Sequence, residues 1–346
     1  MKIRTLLIVM CLTLLPFEAF SEDEKPEPGV FMKDPGSELW RQVRQRDSEG
    51  VGISQVRGVD SGVLINARGD QWARFRMGQL STYGSIAIVA IFAIVVLFYV
   101  VRGKIPIEGG LSGQMVRRFS DYERVVHWTL AIVFLFLAIT GLILLLGRPL
   151  LLPLFGKEVF ALLASASKEG HNLFGPLFLV SLVMMLISFA RRNIYEKGDM
   201  TWLLRGGGLI GEGHASGGFF NMGEKTWYWM VILIGLVISV SGLILVSPAF
   251  GQGRVIMEIS HIVHSIGALI LIAVSIGHMY LGSIGSEGAL EGMQTGYVDI
   301  NWADAHHDRW GKVCHEKNLI ISAEEYARLK GEKPGSGEME SAEQTK

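Results

Sequence analysis

The stretch that decides the fold is SHIVHSIGALILIAVSIGHMY, residues 260–280. It contains no Asp, Glu, Lys or Arg, and as a helix it is long enough to cross a hydrocarbon core of roughly 30 Å. His264 and His278 stand fourteen residues apart in it, nearly four helical turns, so both rings project from roughly one face, about 21 Å apart along the axis. The stretch therefore predicts a transmembrane helix with histidines at two depths.

Five such uncharged runs occur in the chain, and each is long enough to span a bilayer. They are Leu80–Val101, Val125–Leu146, Asn172–Ala190, Thr226–Val246 and Ile259–Ile284. Of the 346 residues 49% are hydrophobic and only 19% are charged, which is far more apolar than a soluble domain. We predict an all-α integral membrane protein: a four-helix transmembrane bundle at 119–285, whose histidines are considered below, plus one additional N-terminal transmembrane helix at 80–101. Nothing in the charge pattern indicates nucleic-acid binding.

The N-terminus has the pattern of a secretory signal peptide at 1–21. Lys2 and Arg4 precede an apolar core, and Ala19-Phe20-Ser21 resembles a cleavage site. An uncleaved anchor is the alternative. In either case the segment 22–79 is expected outside, in the periplasm, where its aromatic-basic patch (Trp72, Arg74, Phe75, Arg76) either contacts a partner or belongs to a solvated linker.

Lysine and arginine counts predict the orientation of the bundle. The connections 102–124 and 191–225 together hold ten such residues, whereas 147–171 and 247–258 hold four. The positive-inside rule places the first pair of connections in the cytoplasm. We therefore expect a multi-pass protein of the bacterial inner membrane with a cytoplasmic tail at 286–346, which we predict to be mobile beyond Lys330.

Four histidines lie at two matched depths. We call His127 with His278 the inner pair and His171 with His264 the outer pair, after the predicted orientation. A six-coordinate haem b needs two neutral imidazoles that face each other, so the pairs predict two haem irons stacked across the membrane. A single membrane histidine is more often a hydrogen-bonding or proton-relay group, but the membrane-spanning runs contain no Asp, Glu, Lys or Arg to relay protons.

The other histidines and the cysteines have weaker interpretations. His261 is an alternative to His264 as ligand, because it lies one turn away; His214 is expected to be solvated. His306 and His307 lie in the tail, without the further ligands of a metal site. With Cys11 in the signal peptide, Cys314 alone excludes a disulfide framework, a four-thiolate cluster and covalent haem attachment.

A weak internal repeat relates the second and fourth predicted spans. His127-Trp128 is followed by Gly141-Leu142-Ile143-Leu144, and Tyr228-Trp229 by Gly242-Leu243-Ile244-Leu245, with thirteen residues from Trp to Gly in both copies. Glycines at matched depth let either a flat macrocycle or a neighbouring helix approach the backbone, and helix packing is the commoner reason.

From Phe119 to Trp310 the sequence resembles the cytochrome b (gamma) subunit of membrane-bound formate dehydrogenases, in an extended branch of that family. The resemblance is carried by R-x-x-H-W (Arg124, His127, Trp128), His171 to Gly175, Asn193-Ile194 with Lys197, Asp199, Trp202 and Leu203, Asn221-x-Gly223-x-Lys225, His264, His278-Met279-Tyr280, Gly292-Met293 with Gly296, and Trp302-Ala303 with His306-His307 and Arg309-Trp310.

The resemblance implies a fold, two haems and partners. The same histidine pairs would bind the haems, and a quinone, menaquinone or ubiquinone, would bind near the inner haem against Asn221, Gly223 and His278. The partners would be an iron-sulfur (beta) subunit and a molybdenum or tungsten catalytic (alpha) subunit, so formate itself would be oxidised elsewhere. The additional helix departs from the shortest family members, and one hypothesis for it is that it packs against the anchor of the iron-sulfur subunit.

Other functions remain as alternatives. The nearest is the cytochrome b subunit of a nickel-iron hydrogenase or another quinone-linked respiratory oxidoreductase, which has the same chemistry with a different partner. A transporter would be expected to have broken helices and buried charges. A purely structural anchor would be colourless.

Overall fold

A computed structural model describes residues 67–107, 109–205, 207, 216–247 and 251–331. The chain divides into two compact units, and all described residues from Arg68 onward belong to the second. Within the described residues, four helices are long and apolar enough to cross a membrane, at Gln71–Arg102, Asp121–Asn193, Met222–Val246 and Arg254–Gly285. The predicted signal peptide, most of the segment 22–79 and His214 lie outside the described residues.

The described elements follow one another in a simple order. They are α1 (Ala67–Arg74), a π-helical turn (Phe75–Leu80), α2 (Ser81–Arg102), β1 (Met115–Arg117), α3 (Asp121–Phe189), a 3-10 turn (Ala190–Asn193), α4 (Asp199–Leu204), α5 (Met222–Val246), α6 (Arg254–Tyr280), a second π-helical turn (Leu281–Gly285), α7 (Ala289–Thr295), β2 (Tyr297–Asp299), α8 (Ile300–His306), α9 (Asp308–Glu316), β3 (Ile320–Ile321) and α10 (Ala323–Lys330).

Helix α3 is a hairpin of two antiparallel arms, 121–155 and 157–189. The chain reverses at Gly156, whose φ of 77° lies in the left-handed region that glycine adopts without strain. Phe136 of the first arm packs on Phe174 of the second, with ring centroids 4.6 Å apart. Both predicted spans of this region therefore lie in α3. The prediction of a loop at 147–171 is wrong, because the leucines and alanines there favour helix and both arms continue beyond the apolar runs.

The bundle core lies between the two arms of α3, α5 and α6. Val126, Leu182, Ile232 and Leu271 are buried in one apolar cluster. Most of the other large apolar side chains of these helices point outward, as expected for helices that face lipid. The predicted all-α membrane bundle is confirmed.

Helix α2, the additional N-terminal helix, packs along α6. A Cβ atom at Gly84 would lie 2.9 Å from Leu269 Cδ1, so a larger residue there would force the Leu269 side chain to shift. Near the other end of α2, Phe98 and Tyr99 pack edge-on against Tyr280, with centroids 6.0 and 6.1 Å away. The opposite face of α2 is exposed, and its predicted contact with an iron-sulfur subunit stays a prediction.

The tail folds into a small cap, which we define as residues 109–120 and 286–331. Strand β1 pairs antiparallel with β2 on one side and with β3 on the other, with Val116 opposite Val298 and Ile320. Val116, Val298, Ala303 and Cys314 form its core, and all are at most 1% exposed. The sequence interpretation missed this sheet, whose strands have only two or three residues. Residues beyond Gly331, predicted to be mobile, lie outside the described residues.

Candidate functional site

The structure brings the inner histidines together at the cap end of the bundle. The ring centroids of His127 and His278 lie 6.3 Å apart with the rings inclined at 61°. His127 is in the second turn of α3, which starts with a capping box between Ser120 and Glu123. His278 lies near the end of α6, and the Trp227 indole stacks on it with centroids 5.1 Å apart. The Nδ1 atom of His127 is buried and has no hydrogen-bond partner within the described part of the chain.

The outer histidines face each other in the same way at the other end. The ring centroids of His171 and His264 lie 6.0 Å apart, inclined at 73°. Nδ1 of His171 lies 2.8 Å from Thr140 Oγ1, and Nδ1 of His264 lies 2.8 Å from the Ile238 carbonyl oxygen. In contrast to the inner pair, both outer rings have a hydrogen-bond partner on their Nδ1 side.

The spacing within both pairs fits one metal ion between two imidazoles. With metal–nitrogen bonds of about 2 Å and ring centroids about 1.1 Å behind each nitrogen, two axial imidazoles have centroids about 6 Å apart. The observed distances are 6.0 and 6.3 Å. A direct hydrogen bond between two imidazoles would instead bring their nitrogens to about 3 Å. These residues therefore suit a bis-histidine haem iron at both depths.

The repeated glycines contact the outer histidines. A Cβ at Gly141 would lie 3.2 Å from His171 Cε1, and a Cβ at Gly242 would lie 3.0 Å from His264 Cε1. The matched glycines thus allow a histidine ring of a neighbouring helix to lie against the backbone. This contact agrees with the helix-packing alternative, in the specific form of a histidine ring, and a macrocycle beside these glycines stays a prediction.

The R-x-x-H-W motif joins the inner site to the tail. Trp128 Nε1 donates a hydrogen bond to the Met293 carbonyl at 2.9 Å, and Arg124 donates to the carbonyls of Met293 and Gln294. The arginine and tryptophan on either side of His127 therefore hold α7 against the start of α3.

The residues predicted to line a quinone site lie at the first turn of α5. Asn221 is the N-cap of α5: its side chain accepts from Glu224 N at 2.9 Å, and the Glu224 carboxylate accepts from Asn221 N at 3.0 Å. Gly223 lies under Trp202, because a Cβ there would be 2.7 Å from the indole. Trp227 on His278 belongs to the next turn of the same helix. Asn221 and Gly223 thus have a structural role near His278, and their contact with a quinone stays a prediction.

Sequence reasoning missed a buried polar cluster next to this turn. The Arg118 guanidinium donates to Glu224 at 3.1 Å and to the Phe219 carbonyl at 3.0 Å, and it lies 3.2 Å from His307 Nε2. His307 Nδ1 donates to the Gly218 carbonyl, so Nε2 is free to accept from Arg118.

The protonation of this cluster follows from its burial. Burial lowers the pKa of His307 to about 3, and the nearby Arg118 charge acts in the same direction. Burial also lowers the pKa of Arg118, against the raising effect of Glu224, although a guanidinium stays charged. His307 is therefore neutral at pH 7. No spacing in the sequence indicates this contact, because the three partners come from distant segments.

A second buried ion pair fixes the connection between α3 and α5. Lys225 Nζ lies 2.9 Å from Asp199, and their side chains are 3% and 1% exposed. Arg309 of the cap approaches the same carboxylate at 3.4 Å. Burial alone would raise the pKa of Asp199, but the hydrogen bonds from Lys225 and the backbone and the charges of Lys225 and Arg309 lower it. Asp199, Lys225 and Arg309 all belong to the motifs of the resemblance. Because they pair with one another, we assign them a structural role.

His261 is not part of either pair. Its ring lies 5.7 Å from the Trp72 indole of α1, centroid to centroid. Its neighbour His264 faces His171 instead. The Trp72 side chain, predicted to contact a partner or lie in a linker, thus covers the end of α6 within this chain.

Comparison with known proteins assigns the class. The profile of the prokaryotic cytochrome b561 family matches residues 118–296, which is more than half of the chain. The chain belongs to this family of integral membrane, haem b-binding helical bundles, and is a multi-pass protein of the prokaryotic inner membrane.

Individual relatives are more specific. The cytochrome b556(Fdn) subunit of the nitrate-inducible formate dehydrogenase of Escherichia coli K12 is 30% identical over 220 residues, covering 62% of this chain and 98% of the relative. The cytochrome b556(fdo) subunit of a formate dehydrogenase of the same strain is 27% identical, with 56% and 90% covered. A cytochrome b556 subunit from Haemophilus influenzae is 26% identical, with 56% and 81% covered. The resemblance found in the sequence motifs is confirmed.

Proposed function

We propose that this chain is the membrane-anchoring dihaem cytochrome b subunit of a respiratory formate dehydrogenase. His127 and His278 would bind the inner haem b, and His171 and His264 the outer one. The observation that carries the proposal is the occurrence of two imidazole pairs, at centroid distances of 6.0 and 6.3 Å, at the two ends of one bundle. Two haems b supply one-electron carriers at both membrane faces.

The orientation and partners follow from charge and from the relatives. The cationic connections favour an orientation with the cap in the cytoplasm, the outer pair toward the periplasm and the segment 22–79 outside. An iron-sulfur (beta) subunit would deliver electrons from a molybdenum or tungsten (alpha) subunit to the outer side. The printed names of the relatives, all formate dehydrogenase subunits, favour formate as the electron source.

The acceptor would be a quinone at the cap end. Menaquinone or ubiquinone would bind near His278 at the first turn of α5, where Asn221 and Gly223 lie. The protons for its reduction would come from the cytoplasm through the cap side, where Glu224 is partly exposed. Because formate oxidation outside releases protons there, charge separation needs no proton channel through the bundle.

Haem counting tests the proposal. The purified complex should give a reduced-minus-oxidised spectrum of b type, with two haems per copy of this chain. His278→Ala should lose the inner haem and leave one, because the remaining imidazole cannot hold the iron alone. His261→Ala is the matched control, since it removes a histidine of the same helix that faces Trp72, and it should keep two. Two haems in His278→Ala would refute the assignment.

The hydrogenase alternative has the same haem chemistry, so spectra do not separate it from the proposal. The neighbouring genes separate the two functions. A gene for a pterin-binding catalytic subunit supports formate dehydrogenase, and a gene for a hydrogenase large subunit supports the alternative.

A further inference from the structure

The outer histidines lie in two copies of one local arrangement. Thr140-Gly141 in α3 contacts His171, and Ser241-Gly242 in α5 contacts His264. Each position in the second copy follows its equivalent by 101 residues, the same offset that relates Trp128 to Trp229. The internal repeat thus duplicates the surroundings of the outer pair.

Both outer rings face oxygen acceptors on their Nδ1 side. The Thr140 hydroxyl lies 2.9 Å from the Phe136 carbonyl and 3.2 Å from the Leu137 carbonyl, so it can donate to one of them while it accepts from His171 Nδ1. His264 Nδ1 faces the Ile238 carbonyl at 2.8 Å, and a carbonyl is always an acceptor. Ser241 Oγ lies 3.3 Å from the same nitrogen. Both rings therefore present an unprotonated Nε2.

The inner pair lacks this arrangement. The repeat position of His127 is occupied by Tyr228, which donates to the Leu186 carbonyl. His127 Nδ1 is buried without an acceptor in the described residues, and His278 is stacked on Trp227. The two pairs have equal ring spacing but different partners behind the rings.

We propose that Thr140 and Ser241 are positioning residues that lower the reduction potential of the outer haem below that of the inner haem. This inference rests on the proposed dihaem function. An imidazole that donates Nδ1–H to an oxygen is a more basic ligand, and a more basic ligand stabilises ferric over ferrous iron. With the outer site at the lower potential, these residues would favour electron transfer from the outer site to the inner site, with no proton transferred.

The test is a redox titration of the two b-type signals in the purified complex. The signal that His171→Ala removes identifies the outer haem. Thr140→Val keeps the shape of the side chain and removes the hydroxyl acceptor. The reduction potential of the outer haem should rise by about 59 mV, which is a roughly tenfold change in the one-electron equilibrium. The potential of the inner haem should stay constant. Thr140→Ser should restore the original value. Ser241→Ala should shift the outer potential in the same direction but less, because Ser241 Oγ lies 3.3 Å from its histidine nitrogen whereas Thr140 Oγ1 lies 2.8 Å from its own.

A matched control is available in α5. Ser239 is buried and donates to the Gly235 carbonyl, without contact to a histidine, so Ser239→Ala should leave both potentials unchanged. Two haems with an unshifted outer potential in Thr140→Val would overturn the inference and leave the proposed function intact. If the Thr140→Val variant lost the outer haem, the Ser241→Ala variant would test the inference instead. An unshifted outer potential in Ser241→Ala would then overturn the inference. Fewer than two haems in the unaltered chain would instead refute the proposed function.

Discussion

At the scale of single residues, the structure buries several charges, and it pairs Arg118, Asp199 and Lys225 with groups of opposite charge. Lys225 and Asp199 are almost inaccessible to solvent, and their 2.9 Å contact lies where the 194–204 connection meets α5. A buried ion loses its hydration, so its partner determines whether it is tolerated. Buried ion pairs of this kind lie next to the candidate functional site. They are easily mistaken for residues that take part in electron or proton transfer.

Lys225→Met should destabilise the protein by about 3–5 kcal/mol, because it leaves the Asp199 carboxylate buried without its closest cation. Lys104→Met is the matched control: Lys104 lies 3.7 Å from Glu287 and its side chain is 53% exposed. Its loss should cost less than about 1 kcal/mol. Denaturant unfolding of the purified protein in detergent measures both. Equal stabilities of the two variants would contradict this assignment, and Lys225→Met with Asp199→Leu should recover part of the loss.

At the scale of elements, the uncharged runs predicted each membrane helix, because a bilayer accepts few charges and requires about 20 apolar residues. They did not predict how far helices extend outside the bilayer. The second arm of α3 begins near Gly156, well before the apolar run at Asn172, since soluble helical turns carry no such hydropathy signal. The pairing of His171 with His264 could be predicted from their matching depth. The contacts of Thr140 and Ser241 with these histidines could not, because a hydroxyl in a membrane helix usually bonds to its own backbone.

Helix α2 lies outside the region that the family profile covers, 118–296. A chain that starts at Lys104 should therefore still bind two haems, because all four histidines and the residues behind them lie after that point. Membrane-fraction immunoblots and haem quantification per polypeptide would measure this. If the shortened chain is inserted but holds fewer than two haems, α2 supports the haem sites through its contacts at Leu269 and Tyr280.

At the scale of the whole molecule, the cap is attached to the bundle by the Arg118 cluster. Its sheet and short helices were absent from the sequence interpretation, since strands of two or three residues give no alternation of apolar and polar positions. His307, for which the sequence predicts only a place in a tail without a metal site, is 1% exposed at the centre of this contact.

The cap should lose stability as the pH falls from about 6.5 toward 3. The pKa of His307 is about 3 in the folded cap and about 6.5 when exposed, so below pH 6.5 the unfolded cap binds a proton that the folded cap does not. At pH 5 the loss should be about 2 kcal/mol. Hydrogen exchange of the Val298 amide, corrected for the intrinsic rate, would measure it at pH 7 and 5. His307→Gln should weaken this pH dependence, and an unchanged dependence in that variant would contradict the explanation.

Strand β1 precedes the four-helix domain and β2 follows it, and the two pair residue for residue. The sheet thus acts as a clasp that joins the beginning of the domain to its end and makes it a closed loop in three dimensions. A break in one of the surface connections of such a loop does not by itself free either end. Full separation of the helices requires the clasp to open as well, so the integrity of the bundle also depends on a contact outside its apolar spans.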